Sequence, residues 1–238
     1  MNRSIEVVYT PALLPLYEVK GKIVVVIDIL RATSTMCVAF HTGVKRILPS
    51  SSPEECRIFK DFDFVISAER NALKVDGFDM GNSPFEYQNP LLIGKSIAFT
   101  TTNGTKAIKL SQKMEASEVV IGSFLNIETL CNWLLEQDKS IILLCSGWKD
   151  KYNIEDTLFA GAVIEAVKDN FTIHCDSSFM ANQLYNQQKH NLPEYIKTLT
   201  HWHRLAAYGL EADMQYCVSI DTAPCLPIFK DGALVNGA

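Results

Sequence analysis

Several things are missing from this 238-residue chain, and each absence closes a class of function. Its seven cysteines (Cys37, Cys56, Cys131, Cys145, Cys175, Cys217, Cys225) form no CxxC pair and are odd in number. That excludes a zinc ribbon and gives no disulfide framework, so most are read as small buried hydrophobes. None is followed six positions later by arginine, so the cysteine-phosphatase loop is absent. There is no basic run, and the net charge of −5 opposes a phosphate-backbone partner, so no nucleic acid is expected. No apolar stretch approaches the roughly 18 residues of a membrane span, and the N-terminal residues lack an apolar targeting segment. The expectation is a cytoplasmic protein without a membrane partner. Neither GxxxxGK[ST] nor GxGxxG occurs, which disfavours P-loop and dinucleotide binding.

What is present is a chain of ordinary hydrophobic content, 47%, organised around Ile23-Val24-Val25-Val26-Ile27-Asp28-Ile29-Leu30-Arg31-Ala32-Thr33-Ser34-Thr35. Five β-branched residues in a row read as a strand buried on both faces. In open parallel sheets ligands bind beyond the carboxyl ends of such strands, where Asp28 and Arg31 sit. A carboxylate and a guanidinium three residues apart could hold a cation and an anionic oxygen side by side, or simply pair with each other.

Along the chain, strands are expected at 5–9, 23–27, 45–49, 62–67, 94–100, 118–121, 140–145 and 171–175, with an edge strand at 226–229. Helices are expected at 34–42, from Pro53, up to about residue 113, at 126–136, 153–168, 177–187 and 194–207. Ser52-Pro53-Glu54-Glu55 and Ser83-Pro84-Phe85-Glu86 both have capping-box spacing. Segments 21–52 and 94–124 each read as strand, polar turn, helix, strand, a possible internal repeat within one α/β domain spanning 1–238. His201 and His203, two apart on one helix, do not share a face and are not read as a metal pair.

Four polar turns follow buried strands: residues 28–35, 69–82, 101–105 and 146–156. On a parallel sheet they would share one edge. Together they supply carboxylates for a hard cation, an arginine, and hydroxyls with exposed amides for a phosphate. Hydrolysis of a phosphomonoester fits that set. Asp61-Phe62-Asp63-Phe64-Val65 matches the aspartyl-phosphatase spacing, but it opens an apolar run where a nucleophilic aspartate should end one.

Five ordered motifs carry a resemblance: Asp28-Ile29-Leu30-Arg31-Ala32-Thr33-Ser34, Gly77-Phe78-Asp79-Met80-Gly81-Asn82-Ser83-Pro84, Thr101-Thr102-Asn103-Gly104-Thr105, Gly122-Ser123-Phe124-Leu125-Asn126 and Glu155-Asp156-Thr157-Leu158-Phe159-Ala160-Gly161. Across residues 5 to 230 the chain resembles the 2-phosphosulfolactate phosphatases. The resemblance implies a three-layer α/β/α fold with a largely parallel or mixed sheet. It also implies a magnesium-dependent acid phosphatase cleaving 2-phospho-3-sulfolactate to 3-sulfolactate and phosphate, a step of coenzyme M biosynthesis. Asp28, Glu69 and Asp156 are the metal-ligand candidates, each beside a strand end or helix start. Arg31 would grip the anion, and Asp28 would be the nucleophile if an intermediate forms, with Asp79 the base if one is needed. Thr33, Ser34, Asn82, Ser83, Thr101, Thr102, Asn103, Gly104 and Thr105 are the candidate phosphate and substrate contacts. The alternative is a non-catalytic binding protein for a small anionic metabolite, and a homodimer is compatible with either.

Overall fold

The computed structural model describes residues 3–237. Its strands are β1 (Ile5–Val8), β2 (Ile23–Ile27), β3 (Arg46–Pro49), β4 (Val65–Arg70), β5 (Leu73–Lys74), β6 (Ser96–Thr100), β7 (Glu118–Gly122), β8 (Ile141–Cys145), β9 (Pro227–Lys230) and β10 (Ala233–Asn236). Its helices are α1 (Ala32–Thr42), α2 (Pro53–Ile58), α3 (Gly104–Lys113), α4 (Ile127–Glu136), α5 (Ile154–Val167), α6 (Asp176–Gln188), α7 (Leu192–Lys197), α8 (Thr200–Ala206) and α9 (Glu211–Cys217).

Alternation along the apolar strands sends side chains to two faces, and both faces are covered. Val25, Ile27, Leu143 and Cys145 join Leu130, Leu158, Val163 and Ala181, placing α4, α5 and α6 on one side. Val24, Val26, Ile142 and Leu144 join Met36, Phe40, Ala107 and Ile108, placing α1 and α3 on the other. The result is the three-layer α/β/α arrangement that the resemblance implied. All seven cysteines are free thiols. No described helix is long and apolar enough to cross a membrane.

All ten strands share one mixed sheet, in the order β1-β8-β2-β7-β9-β10-β3-β6-β4-β5. Strands β1, β8, β2 and β7 are mutually parallel, as are β3, β6 and β4. Between the two blocks lies the β9–β10 hairpin, antiparallel to β7 on one side and to β3 on the other. Three successive antiparallel pairings reverse direction, so the second block runs opposite to the first. The polar turns after β2 and β8 therefore leave one edge of the sheet, and those after β4 and β6 leave the opposite edge. This corrects the expectation of a single shared edge.

Sheet twist resolves the apparent separation. At roughly 20–25° per strand, the five steps from β2 to β6 accumulate about 100–125° and curl diagonally opposite corners toward one face. The N-termini of α1 and α3 meet there: a Cβ added to Gly104 would lie 2.9 Å from the Ala32 Cβ and 3.2 Å from Asp28 Oδ2. The units β2–α1–β3 and β6–α3–β7 each cross the hairpin, in opposite directions, from the second strand on one side of it to the first strand on the other.

Other differences from the sequence reading are local. The hairpin strand at 227–230 is interior rather than an edge, with Pro227 at its first position, where a missing N–H is tolerated. Residues 171–175 make only a bridge, Ser4 to Thr172. The helix expected over 194–207 is two, α7 and α8. Ser83 precedes a 3-10 turn without capping it, its Oγ donating instead to Asp213 Oδ1 at 2.9 Å, while Glu86 accepts from the Gly81 N–H at 2.8 Å.

Helices α5 and α6 cross in close contact at Gly161, where a Cβ would stand 2.1 Å from the Ala181 carbonyl oxygen. Since that oxygen belongs to a helix backbone, the two helices must part to admit a methyl group. Gly161→Ala is expected to cost about 3 kcal/mol, the upper end of ordinary overpacking, measured by urea denaturation. A variant as stable as the parent would show that the helices slide freely.

Candidate active site

The site is a narrow cleft over the meeting point of α1 and α3. Its carboxylates are Asp28 and Glu69, its cations Arg31 and Arg204, and its hydrogen-bonding wall includes Asn82, Thr101, Thr102 and Asn103.

Asp28 leaves β2 at the first residue beyond the strand. Its N–H donates to Thr33 Oγ1 at 3.0 Å, and its Oδ1 accepts from the Ala32 N–H at 3.4 Å. The tight turn thus aims the carboxylate past the start of α1. Loss of hydration raises its pKa to about 6, and Glu69 and Glu155 push the same way against His201 and the Ala32 amide.

Arg31 is buried, and a pair holds it in place. Its Nη1 donates to Asp213 Oδ2 at 2.6 Å, and its Nη2 to the Ala72 carbonyl at 2.9 Å. Ser83 Oγ steadies the other Asp213 oxygen at 2.9 Å. A guanidinium has five N–H donors, so Arg31 retains donors for a ligand.

Glu69 is the penultimate residue of β4 and faces the cleft. Its Oε1 accepts from the Ala72 N–H at 2.5 Å, while Oε2 accepts from both the N–H and Oγ1 of Thr102, at 3.3 and 3.2 Å. It ties the turn after β4 to the turn after β6. The second turn leads into α3 at Gly104, with Asn103 at the cap position but no side-chain cap bond. Two buried oxygens on the wall, Asn82 Oδ1 and Thr101 Oγ1, have no hydrogen-bond partner among the described residues. Buried polar atoms left so cost stability, which a bound group would relieve.

A third set of side chains comes from α8. His201 Nδ1 bonds Glu155 Oε1, and its Nε2 faces Arg204 Nη2 at 2.5 Å. Between a carboxylate and a guanidinium, the ring carries its proton on Nδ1 and accepts at Nε2. The Arg204 guanidinium also lies over the Trp148 ring, 4.5 Å from its centroid. Burial lowers the Arg204 pKa from its ordinary value. The chain from Glu155 through His201 therefore sets where Arg204 points.

The model of the family described as 2-phosphosulpholactate phosphatase matches residues 8–232. The chain belongs to this family. Membership makes it an enzyme of the phosphatase class. Among similar proteins is a probable 2-phosphosulfolactate phosphatase of Caldanaerobacter subterraneus subsp. tengcongensis, 37% identical over 220 residues and covering 90% of each chain. Proteins of the same description from Symbiobacterium thermophilum and Thermotoga maritima are 34% and 35% identical. These matches cover 93% and 94% of this chain, and 97% and 93% of those proteins.

Within this family member the candidate residues divide into three groups. Asp28, Arg31, Glu69, Asn82, Thr101, Thr102 and Asn103 line the cleft. Thr33, Ser34, Ser83, Gly104 and Thr105 lie behind it: Ser34 Oγ donates to the Ile29 carbonyl and contacts Ser123 Oγ, and Thr105 Oγ1 donates to the Thr101 carbonyl. Asp156 and Asp79 are occupied elsewhere. Asp156 is buried beneath the turn, accepting from the Ile29 N–H at 2.9 Å and the Gly147 N–H at 3.1 Å. Burial, then Glu155 and Asp28, push its pKa well up. Asp79 is exposed beside β4, accepting from the Ile66 N–H at 3.0 Å.

Sequence reasoning missed Glu155 as a partner of His201, it missed Arg204, and it placed Trp148 in a polar turn without giving it a role. The spacing of His201 and Arg204, three apart and so on one helix face, was the available signal. No group of three or more His, Cys, Asp or Glu side chains among the described residues is placed to hold a metal.

Proposed function

We propose that the chain hydrolyses 2-phospho-3-sulfolactate to 3-sulfolactate and phosphate with magnesium as cofactor. The observation that carries this reading is a cleft in which two arginines and two carboxylates surround buried, unpartnered oxygens. A phosphomonoester brings spare negative charge to the arginines, and a hard cation brings a partner to the oxygens.

The oxygen-only donor set suits magnesium, which takes one or two carboxylates, keeps several waters and shares substrate phosphate oxygens. Asp28, with Asn82 Oδ1 and Glu69, would hold it, and when bound it would neutralise charge on the phosphoryl oxygens. Arg31 and Arg204 bind and orient those oxygens, in the favourable field of the α3 N-terminus. Asp28 is ionised at neutral pH despite its raised pKa of about 6. Its charge is therefore available to hold the cation or meet the phosphorus. Asp79 stands away from the cleft and takes no part in this scheme. Glu155 and His201 act by positioning Arg204.

Phosphate release from 2-phospho-3-sulfolactate, 2-phospholactate and phosphoglycolate, with Mg²⁺ and with EDTA, tests this directly. Release that requires Mg²⁺ and is fastest with the sulfonated ester is expected. Binding without release from any ester would favour a non-catalytic binding protein instead.

A further inference from the structure

A second concavity opens from the cleft across the Thr101 and Thr102 wall and runs along α3. Four cations line it: Arg70, Lys106, Lys109 and Lys113. Two are neutralised within the chain. Lys106 pairs with Asp150 at 2.7 Å, and Lys109 pairs with Glu55 at 3.3 Å and donates to Ser51 Oγ at 2.6 Å. Lys113 closes α3 at the far end, about three turns from the cleft.

Arg70 differs in both respects. It follows Glu69 in β4, so its backbone adjoins a cleft residue. Its Nη1 donates to the Glu69 carbonyl at 2.6 Å and its Nη2 to Thr100 Oγ1 at 3.1 Å. Both acceptors are neutral and no carboxylate among the described residues forms an ion pair with Arg70, although Glu54 lies close enough to feel its charge. Two of its five donors are used and three remain, on a side chain that lines the groove. A planar, pre-oriented guanidinium of this kind matches the oxygens of a second acid group.

We propose that Arg70 is the specificity residue for the sulfonate of the substrate, taking it into the Thr102 end of this groove while the phosphoester sits in the cleft. The proposal rests on the phosphatase reading above and deepens it. The neighbouring lysines raise the local potential for a multiply charged anion, but the carboxylates paired with Lys106 and Lys109 leave those two weaker direct ligands. An ester that keeps the carboxylate but lacks the sulfonate leaves Arg70 unused.

Steady-state kinetics of the parent, Arg70→Gln and Arg70→Lys on 2-phospho-3-sulfolactate and 2-phospholactate supply the test. Arg70→Gln should lower kcat/KM about 30-fold on the sulfonated ester, mainly through KM, and leave 2-phospholactate within about twofold. Arg70→Lys should recover part of the loss. Equal losses on both esters, or none on either, would overturn the assignment. If the parent hydrolyses neither ester, the phosphatase reading fails, and calorimetric binding of 3-sulfolactate and lactate decides the subsite separately. A preference for 3-sulfolactate of about tenfold or more that Arg70→Gln abolishes supports it, whereas equal binding of the two acids by the parent refutes it.

Discussion

Asp28→Asn is expected to abolish phosphate release while making the protein harder to melt. Activity should fall about 10³-fold or more, because the amide can neither hold a cation with full charge nor act at the reacting centre. Stability should move the other way. The Asp28 carboxyl has a pKa of about 6 against an ordinary value of 3.8, principally because burial disfavours its charge. Between those two pH values the folded protein holds a proton that the unfolded chain has lost. Unfolding free energy therefore falls as pH rises through that window, and the full cost is present above pH 6. At about 1.4 kcal/mol per unit the ceiling is near 3 kcal/mol, and partial solvent contact at the cleft reduces it to about 1–2 kcal/mol. Melts in EDTA at pH 7 should place the variant about 3–6 °C above the parent, with the gap closing near pH 4. A variant less stable than the parent at pH 7 would show that the ionised carboxylate is stabilising, contrary to this account.

Arg31→Met should have the larger structural effect. The Arg31 guanidinium and the Asp213 carboxylate meet at 2.6 Å, with side-chain exposures of 4% and 8%. Removing one partner leaves Asp213 as an uncompensated buried charge, with Ser83 Oγ as its remaining donor. Such losses run to about 3–5 kcal/mol. Activity alone cannot separate that damage from loss of a phosphate contact. Adding Asp213→Asn removes the stranded charge, so urea melts of the double variant should recover most of the stability. Phosphate release should stay about 10²–10³-fold down. If it returns with stability, Arg31 serves only the fold.

How much of this was legible in the sequence depended on where each contact lies along the chain. The strand Ile23–Ile27 and the turn carrying Asp28 and Arg31 were readable because composition and turn chemistry act over a few residues. Thr101, Thr102 and Asn103 were readable for the same reason. Strand direction was not, since nothing local distinguishes β3 running with β7 from β3 running against it. The reversal is decided by the β9–β10 hairpin, whose first strand looks like an edge because of Pro224 and Pro227. Asp156 shows the limit of position arguments: a carboxylate at a helix start beside a strand end proved to bind two backbone amides beneath the cleft. His201 and Arg204 reach the cleft from α8, far along the chain from Asp28, and no local pattern links them to it.

The hairpin also governs the order in which the molecule can be completed. Strand β7 gains its outer neighbour only when β9 arrives, and β3 waits for β10, the last strand in chain order. Each join is a thin seam, a single residue pair, Val120 with Ile228 and Leu234 with Ile47. During synthesis both strands therefore stand as raw edges, able to capture another chain's strand until the closing segment emerges. Loop-closure entropy over most of the chain makes this late step slow relative to helix and local strand formation. Assembly of the sheet is a race between its own last hairpin and a stranger's edge.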